Sequence, residues 1–378
     1  MMTTLILTAA AMFVLCVVLS FGGKDQGMIR ACNLRVVEKP RFHPVVDAHM
    51  HVDVDPAMYA LAVKAMDAAG IACAMNLSGG HGKTLARNLR LASKYPGRFL
   101  TFCGGWPDEF DWKSRDIGSC LAKMLRQSGK MGAHGFGETV KWALMKKINW
   151  DDPRLEPMWE TLEELQMPTN WHVADPTRYW MPETTRVMLE SDGYYKGYPS
   201  KHALIMQQER VLEKHPNLVV IAAHANWLND QIPFLWHRLD TYPNYHIDLC
   251  AACDEFGRNP DEFVDLCKRY SGRIFFGTDA GFSGRMMRGF KYSPADYKAF
   301  YVAHFLFLGT RQQMIPCAFK GNPGGRFAGY ENGFVRYAND GVALPDNVLR
   351  DIYYRNAERM FGIKVARWKP RGKFSYNI

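Results

Sequence analysis

The chain has 378 residues, and 47% of them are hydrophobic, which is enough for one large α/β domain with a sizeable core. Its formal charge is +9 and its pI is near 9.0, but Lys and Arg are scattered without a run of five or more, so the sequence argues against nucleic-acid binding. A basic surface of this kind suits anionic small molecules or an acidic membrane face instead.

The first predicted element is the uncharged apolar run from Thr3 to Phe21, which ends at Gly22-Gly23. Such a run is typical of a signal-peptide core or an uncleaved membrane anchor, so residues 1–23 are assigned to one of these. We therefore expect the protein to be exported, as a periplasmic or secreted protein, or to be tethered to a membrane. The basic residues follow the run rather than precede it, which departs from the usual signal-peptide pattern.

After residue 40, short apolar runs alternate with longer amphipathic stretches, which is the rhythm of βα units in a parallel sheet. Eight strands are predicted, at residues 45–48, 72–77, 99–103, 132–137, 169–172, 219–224, 245–249 and 273–277. The helices predicted between them include residues 56–69, 84–94, 114–128, 157–166, 203–215 and 260–270. Eight parallel strands of this kind favour a closed (β/α)8 barrel, the TIM-barrel fold of the α/β class, over an open sheet.

The C-terminal part departs from this rhythm. Residues 309–344 are rich in Gly, Asn and aromatic side chains, a composition that favours an active-site lid over a linker. A last helix is predicted from Pro345 to Phe361, with Gly362 just beyond its end. We therefore expect residues 24–378 to form one barrel with a lid-like insertion and a C-terminal helical extension.

Metal-ligand residue types stand at the carboxyl ends of the predicted strands, where barrel enzymes build their sites. His49 and His51 are two residues apart on the first strand and can therefore face one ion. Three more candidates end later strands, and Glu138 follows the fourth: the set is His49, His51, Glu138, His172, His224 and Asp279. Imidazole and carboxylate groups suit a divalent cation such as zinc. Each residue also has a structural alternative, a buried imidazole or a capping carboxylate.

Several motifs resemble the metal-dependent amidohydrolase superfamily, in particular its amidohydrolase family 2 branch. They are Asp47-Ala48-His49-Met50-His51, Trp171-His172-Val173-Ala174-Asp175-Pro176, His215-Pro216-Asn217 followed by Ala223-His224, Tyr242-Pro243-Asn244 followed by Asp248-Leu249, Glu255-Phe256-Gly257-Arg258, Phe276-Gly277-Thr278-Asp279, and Tyr354-Arg355-Asn356-Ala357. The resemblance runs from about residue 45 to residue 361. Because this branch contains decarboxylases, lactonases and hydratases besides hydrolases, the resemblance says little about the substrate.

The resemblance implies roles for the candidate residues. His49, His51, His172 and Asp279 would be metal ligands or metal-site residues, and His224 would polarise the substrate. From its place beside the ion, Asp279 can also take the proton of a metal-bound water and hand it to a leaving group. Glu138 would bridge a second ion, bind the single ion, or contact a histidine behind the ligands, and we expect one ion per chain. Zinc is the expected metal, with manganese as the alternative.

Substrate specificity must come from residues just beyond the strand ends. Arg258 is placed to pair with a substrate carboxylate, its alternative being a surface or inter-subunit salt bridge. Lys141, Trp171 and Trp227 have a cationic or aromatic character that suits an anionic or sugar-like ligand.

The sequence thus predicts a metal-dependent hydrolase that uses metal-activated water on a small carboxylated or sugar-derived ester, lactone or amide. A metal-dependent non-oxidative decarboxylase of a small carboxylic acid is the alternative. A barrel that serves only as a binding protein is a third hypothesis, which the complete set of candidate ligands disfavours. We also expect the protein to form a homo-oligomer.

Overall fold

A computed structural model describes residues 35–105, 109–139, 146–180, 199–283, 292–316, 338–370 and 374–377. The predicted N-terminal leader lies outside these residues. Within them, no helix is both long enough and apolar enough to span a bilayer.

The fold is built around one closed parallel sheet of nine strands. In chain order these are β1 Val45–Val52, β2 Ile71–Asn76, β3 Phe99–Cys103, β4 Gly135–Phe136, β5 Thr169–Trp171, β6 Val220–Ala222, β7 Tyr245–Asp248, β8 Ile274–Phe275 and β9 Ala280–Phe282. Each strand pairs with the next up to β8, and β9 pairs with β1. Only four residues separate β8 from β9, so together they act as the eighth strand and close the barrel between β7 and β1. The predicted TIM-barrel fold is therefore confirmed.

Helices cover the outside of the sheet. They are α1 Pro56–Ala69, α2 Gly82–Ala92, α3 Ile117–Met131, α4 Glu156–Glu164, α5 Lys201–Lys214, α6 Ile232–Thr241, α7 Cys253–Phe256, α8 Pro260–Tyr270 and α9 Pro294–Gly309. Local sequence sets several of their ends. Asp55 caps α1 through the Ala57 amide, and Gly70 ends α1 in the left-handed conformation with φ 78°. Ser293 and Asp296 form a capping box on α9.

The predicted elements agree with these bounds to within a few residues, and β3, α1 and α8 agree at both ends. The short β9 was not predicted. The helices α6 and α9 were not predicted either. In α9, the residues from Tyr297 to Leu308 are almost all buried. A helix that is apolar on all sides lacks the amphipathic period by which helices are recognised.

The C-terminal extension closes the amino-terminal end of the barrel. It consists of α10 Asp346–Arg350, a π-helical turn Asp351–Arg355 and α11 Asn356–Phe361, in place of the single predicted helix. The side chain of Asn356 donates to the carbonyls of Ser271 and Ile274, at the start of β8. Most of the predicted lid lies outside the described residues. Its two edges form a small antiparallel pair, β10 Ile315–Pro316 with β11 Ala338–Asn339.

Candidate metal centre

The predicted ligands meet at the carboxyl end of the barrel. His49 and His51 belong to β1, and Glu138, His172 and His224 lie one or two residues beyond β4, β5 and β6. Asp279 lies between β8 and β9, and its amide nitrogen donates to the carbonyl oxygen of His49 at 2.9 Å. Because parallel strands present their carboxyl ends on one edge, residues far apart in sequence converge on one small site.

Glu138 stands at the centre of this cluster. One of its oxygens, Oε2, lies 3.4 Å from His51 Nε2 and 3.7 Å from His49 Nε2. The other, Oε1, lies 2.5 Å from His172 Nδ1 and 3.4 Å from His224 Nε2. The carboxylate is therefore shared by two groups of histidines, one on each side.

Asp279 stands on the side of the β1 histidines. Its Oδ1 atom is 3.3 Å from His51 Nε2 and 3.8 Å from His49 Nε2. The side chains of Asp279 and His51 are 27% and 22% exposed, whereas that of Glu138 is 6% exposed. Asp279 and His51 therefore border the opening of the site, and Glu138 lies at its floor.

Hydrogen bonds on the far side of each ring fix which nitrogen faces the cluster. His224 Nδ1 is 3.0 Å from the carbonyl oxygen of Cys250, which can only accept, so the Nδ1 atom carries the proton. His49 Nδ1 likewise donates to Asp248 at 3.0 Å, and His172 Nε2 donates to Asp175 at 3.2 Å. In each neutral ring the nitrogen that faces the cluster is left with its lone pair, as metal-binding imidazoles require.

The cluster contains a buried polar atom that is left without a hydrogen-bond partner in the described part of the chain, as is expected of a metal ligand. His49 Nε2 is fully buried and has no hydrogen-bond partner among the described residues, although buried polar atoms are normally paired. Two triads, His49–His51–Glu138 and Glu138–His172–His224, each bring three ligand atoms within 4.8 Å of one another. A divalent cation would satisfy these lone pairs together, so the residues fit a metal ion.

The electrostatics of the residues support this conclusion. Burial would lower the pKa of His51, but the neighbouring Asp279 and Glu138 carboxylates raise it to about 9. Burial would raise the pKa of Glu138, yet the His172 and His49 rings lower it well below its ordinary value. Without a cation, protons on the imidazoles balance the buried carboxylates, and metal binding would release them.

A left-handed turn presents His224 to the cluster. The four residues from His224 to Trp227 all have φ between 51° and 55° and ψ between 20° and 34°. This conformation costs about 1–2 kcal/mol per L-residue, so other contacts must hold it. Asn226 donates to Gln208 and Tyr245, and the ammonium group of the buried Lys201 donates to the carbonyl of Trp227.

The substrate role predicted for Trp171 is wrong. Trp171 is fully buried, stacked on Trp159 of α4 at 4.4 Å between ring centroids and placed edge-on to Trp150 at 5.4 Å. Neighbouring residues on a strand point to opposite faces. Since His172 points into the cluster, Trp171 must point outward against the helices, where it contributes to packing.

The other predicted substrate residues have different surroundings. Trp227 does border the cluster, with its ring stacked on His224 at 4.8 Å. The side chain of Arg258 is 46% exposed and lies 3.3 Å from Glu255, the surface ion pair that was its structural alternative. Lys141 lies outside the described residues.

Two residues that the sequence analysis did not assign to the site support it from behind. Asp248, at the end of β7, accepts from His49 Nδ1 and Asn170 through one oxygen and from the His224 amide through the other. Cys250 places its Sγ atom 2.9 Å from His49 Nδ1 and 3.0 Å from His224 Nδ1. Burial, with the nearby Asp248 carboxylate, raises the pKa of the Cys250 thiol well above its usual value, so the thiol stays protonated.

We expect Asp248→Asn to weaken metal binding about 10- to 100-fold, as is typical of partners that orient metal-binding histidines. An amide group that offers its NH2 to His49 Nδ1 would force the proton onto Nε2 and remove the lone pair from the cluster. Competition of the purified protein with a metal-sensitive chelator measures the affinity. Asp265→Asn, an exposed change on α8, is the matched control and should leave the affinity unchanged. Equal affinities in the two variants would contradict the role of Asp248.

Comparison with known proteins identifies a family and individual proteins to which this chain is similar. A family model described as amidohydrolase, Amidohydro_2, matches residues 46–363. The gamma-resorcylate decarboxylase of a Rhizobium species is 23% identical over 161 residues, which cover 39% of this chain and 44% of that enzyme. The enzyme of the same name from Rhizobium radiobacter is 22% identical over a stretch of the same length. The chain thus matches less than half the length of these curated relatives.

Solved structures are similar at the level of the fold. An uncharacterised TIM-barrel protein from Bordetella bronchiseptica aligns with a TM-score of 0.50 at 15% identity, over 84% of this chain and 98% of the other. At this identity the likeness speaks for the barrel and not for an activity.

Proposed function

This chain belongs to the amidohydrolase family, and on that premise we propose that it is a metal-dependent hydrolase of a small carboxylated or sugar-derived ester, lactone or amide. The observation that carries the proposal is the convergence of four imidazole nitrogens on two carboxylates at the carboxyl end of the barrel. Three of these rings are also fixed from behind with their lone pairs toward the cluster.

The shared position of Glu138 supports two ions in place of the single ion expected from the sequence. His49, His51 and Asp279 would hold one ion, and His172 and His224 would hold the other. Glu138 would belong to both, because its two oxygens face different histidine pairs. His224 would then act as a ligand and not as a donor to the substrate, since its proton lies on the nitrogen that faces away from the cluster.

A bound divalent ion supplies a water whose pKa is near 7 and a Lewis acid that polarises a carbonyl oxygen. Zinc matches the imidazole and carboxylate donors, and manganese is the alternative. The protein's own contribution to the chemistry is the movement of protons. Burial would raise the pKa of Asp279, but the hydrogen bond from His51 keeps it below its ordinary value, so the carboxylate is charged at neutral pH.

Asp279 is therefore suited to act as the general base. Its partly exposed carboxylate can take a proton from the attacking water and pass it to the leaving group. Trp227 shields the His224 side of the site from water with its stacked ring, and we propose that it also contacts the substrate. Arg258 stays a candidate for binding a substrate carboxylate only if Glu255 releases it.

A non-oxidative decarboxylase of a small carboxylic acid is the second candidate. The curated relatives that support it are named gamma-resorcylate decarboxylases. The same residues could serve this reaction, with Asp279 delivering a proton to carbon as carbon dioxide leaves. The residues of the cluster do not separate the two reactions, and a direct experiment must do so.

The deciding experiment is a screen of lactones, esters, amides and aromatic acids with the metal-loaded full chain in H2 18O. Hydrolysis should place one 18O atom in the acid product, and removal of metal with a chelator should abolish turnover until zinc or manganese is added back. Release of carbon dioxide without 18O in the product would overturn the hydrolase proposal in favour of the decarboxylase. Turnover that survives complete metal removal would overturn both.

A further inference from the structure

The positive charge of this protein is concentrated in two segments. Residues 350–373 contain eight Lys and Arg against Asp351 and Glu358, and residues 24–41 contain five against Asp25 and Glu38. Together the two segments carry the entire formal charge of +9, because acidic and basic residues are equal in number over the rest of the chain. The scatter of Lys and Arg along the sequence conceals this separation.

The fold brings the described parts of both segments to the same end of the barrel, opposite the metal centre. Residues 35–44 lead into the start of β1, and the carbonyl of Arg35 accepts from Gln312, beyond the C-terminal end of α9. Trp368 lies over the guanidinium of Arg98, which itself donates to the carbonyl of Ile71 at the start of β2. The amino-terminal face defined by residues 35–44 and 350–370 is therefore a single basic surface.

This amino-terminal face combines cations with aromatic rings around an open cleft. The cleft has a volume of about 550 Å³. Its lining includes the cations Arg41, Arg350, Arg367 and Lys369 and the rings of Phe42, Tyr354, Trp368 and Phe374. The phenyl rings of Phe42 and Phe374 pack at 5.1 Å and form one wall.

Acidic residues neutralise only part of this charge. Asp346 lies 3.2 Å from Arg41 and 2.8 Å from Arg350, so one carboxylate serves two guanidinium groups. Arg367 and Lys369 are exposed and have no ion-pair partner within the described parts of the chain. The cations of this surface suit anionic lipid headgroups, and its aromatic rings suit the boundary between the headgroups and the apolar layer of a membrane.

We propose that the amino-terminal face docks on a membrane surface of anionic phospholipid, with the metal centre turned away from the bilayer. The sequence that leads to this face favours a membrane over a nucleic acid. Residues 3–21 are uncharged and apolar, and only thirteen residues separate them from Arg35 on the face. As an uncleaved anchor, this run would hold the basic face near the lipid, where each cation strengthens binding about fivefold.

The test uses the full chain reconstituted in lipid nanodiscs and a trace amine-acylating reagent read by mass spectrometry. Discs of phosphatidylcholine are compared with discs that contain phosphatidylglycerol. Labelling of the exposed Lys364 and Lys369 should fall at least about threefold in the anionic discs and recover at high salt. Labelling of Lys83 and Lys113, exposed at the opposite end, should be the same in both discs.

Paired variants test whether the charges are responsible. Arg41→Glu with Arg367→Glu should abolish the protection of both lysines in anionic discs, because two cations are lost and two anions gained. Arg87→Glu with Arg115→Glu, exposed arginines on or before α2 and α3, makes the same charge change elsewhere and should retain the protection. None of these readouts depends on turnover, so they stand or fall independently of the proposed hydrolase activity.

Three outcomes would overturn the proposal. Equal labelling in neutral and anionic discs would show that the face is not electrostatically docked. Protection that survives in the Arg41→Glu, Arg367→Glu variant would show that these charges do not carry it. Protection of Lys364 and Lys369 by duplex DNA in solution that exceeds protection by anionic lipid at the same ionic strength would assign the face to nucleic acid.

Discussion

Asp279→Asn should lower turnover about 10²- to 10⁴-fold, the usual contribution of a positioned general base, while most of the metal stays bound. The amide cannot take a proton from water at neutral pH. It is nearly the same size as the carboxylate and can still offer an oxygen to the cluster. Asn is also the substitution that best preserves the backbone, because Asp279 has φ 62° and Asn tolerates this left-handed region better than most residues.

Turnover, metal content by elemental analysis and the melting temperature should be measured on the same preparation. Asp53→Asn is a matched control, since Asp53 also lies at the carboxyl end of β1 but pairs with Ser283 away from the cluster. It should keep both metal and turnover. Unchanged turnover in Asp279→Asn would remove the proton-transfer role, and loss of all metal would make Asp279 primarily a ligand.

The arrangement of the ligands was largely predictable, because it depends on strand periodicity. A residue at the end of a parallel strand must lie at the common edge of the sheet, whatever its partners are. His49, His51, His172 and Asp279 could therefore be placed at one site without knowledge of the packing around them. The same periodicity excludes Trp171, which is adjacent to His172 and must face the other way. The direction of this side chain follows from its position on the strand and not from its residue type.

The support behind the ligands could not be predicted in the same way. The hydrogen bond from His49 to Asp248 joins residues that are 199 positions apart in sequence, so it depends on how β1 and β7 are placed in the closed barrel. The left-handed turn at residues 224–227 contains no glycine to announce it. It exists because Asn226, Lys201 and Asp248 hold it through tertiary hydrogen bonds. Local sequence cannot encode a conformation whose stabilising partners come from other strands and helices.

The two ends of the barrel therefore differ in how their charged groups are arranged. At the carboxyl end, imidazoles and carboxylates are buried together, and a bound cation would balance the negative charge of the carboxylates. At the amino-terminal end, cations outnumber acidic residues, and Arg41, Arg367 and Lys369 are exposed. An active centre that faces away from a bilayer stays open to soluble substrate, so the proposed docking and the proposed hydrolysis do not compete for the same surface.

Glu138→Gln should reduce the bound metal from two ions per chain to one or fewer and lower turnover by about 10²- to 10⁴-fold, since a metal ion supplies several kcal/mol of transition-state stabilisation. The carboxylate faces His49 and His51 with one oxygen and His172 and His224 with the other, and a neutral amide can offer only one acceptor oxygen to the cluster. The pair of histidines that faces the amide nitrogen would lose the shared ligand. Metal content per chain and turnover at saturating metal are the two measurements.

Glu109→Gln provides the matched control, because Glu109 is also paired with a histidine, lying 2.9 Å from His81, but is exposed and outside the cluster. It should bind two ions and turn over normally. At saturating metal, one ion per chain in both the unchanged protein and Glu138→Gln would restore the single-metal arrangement. Glu138 would then act only by orienting His172, to which it is closest, and turnover in Glu138→Gln would fall through weaker metal affinity that added metal rescues. Rescue by excess metal thus separates an orienting carboxylate from a bridging one.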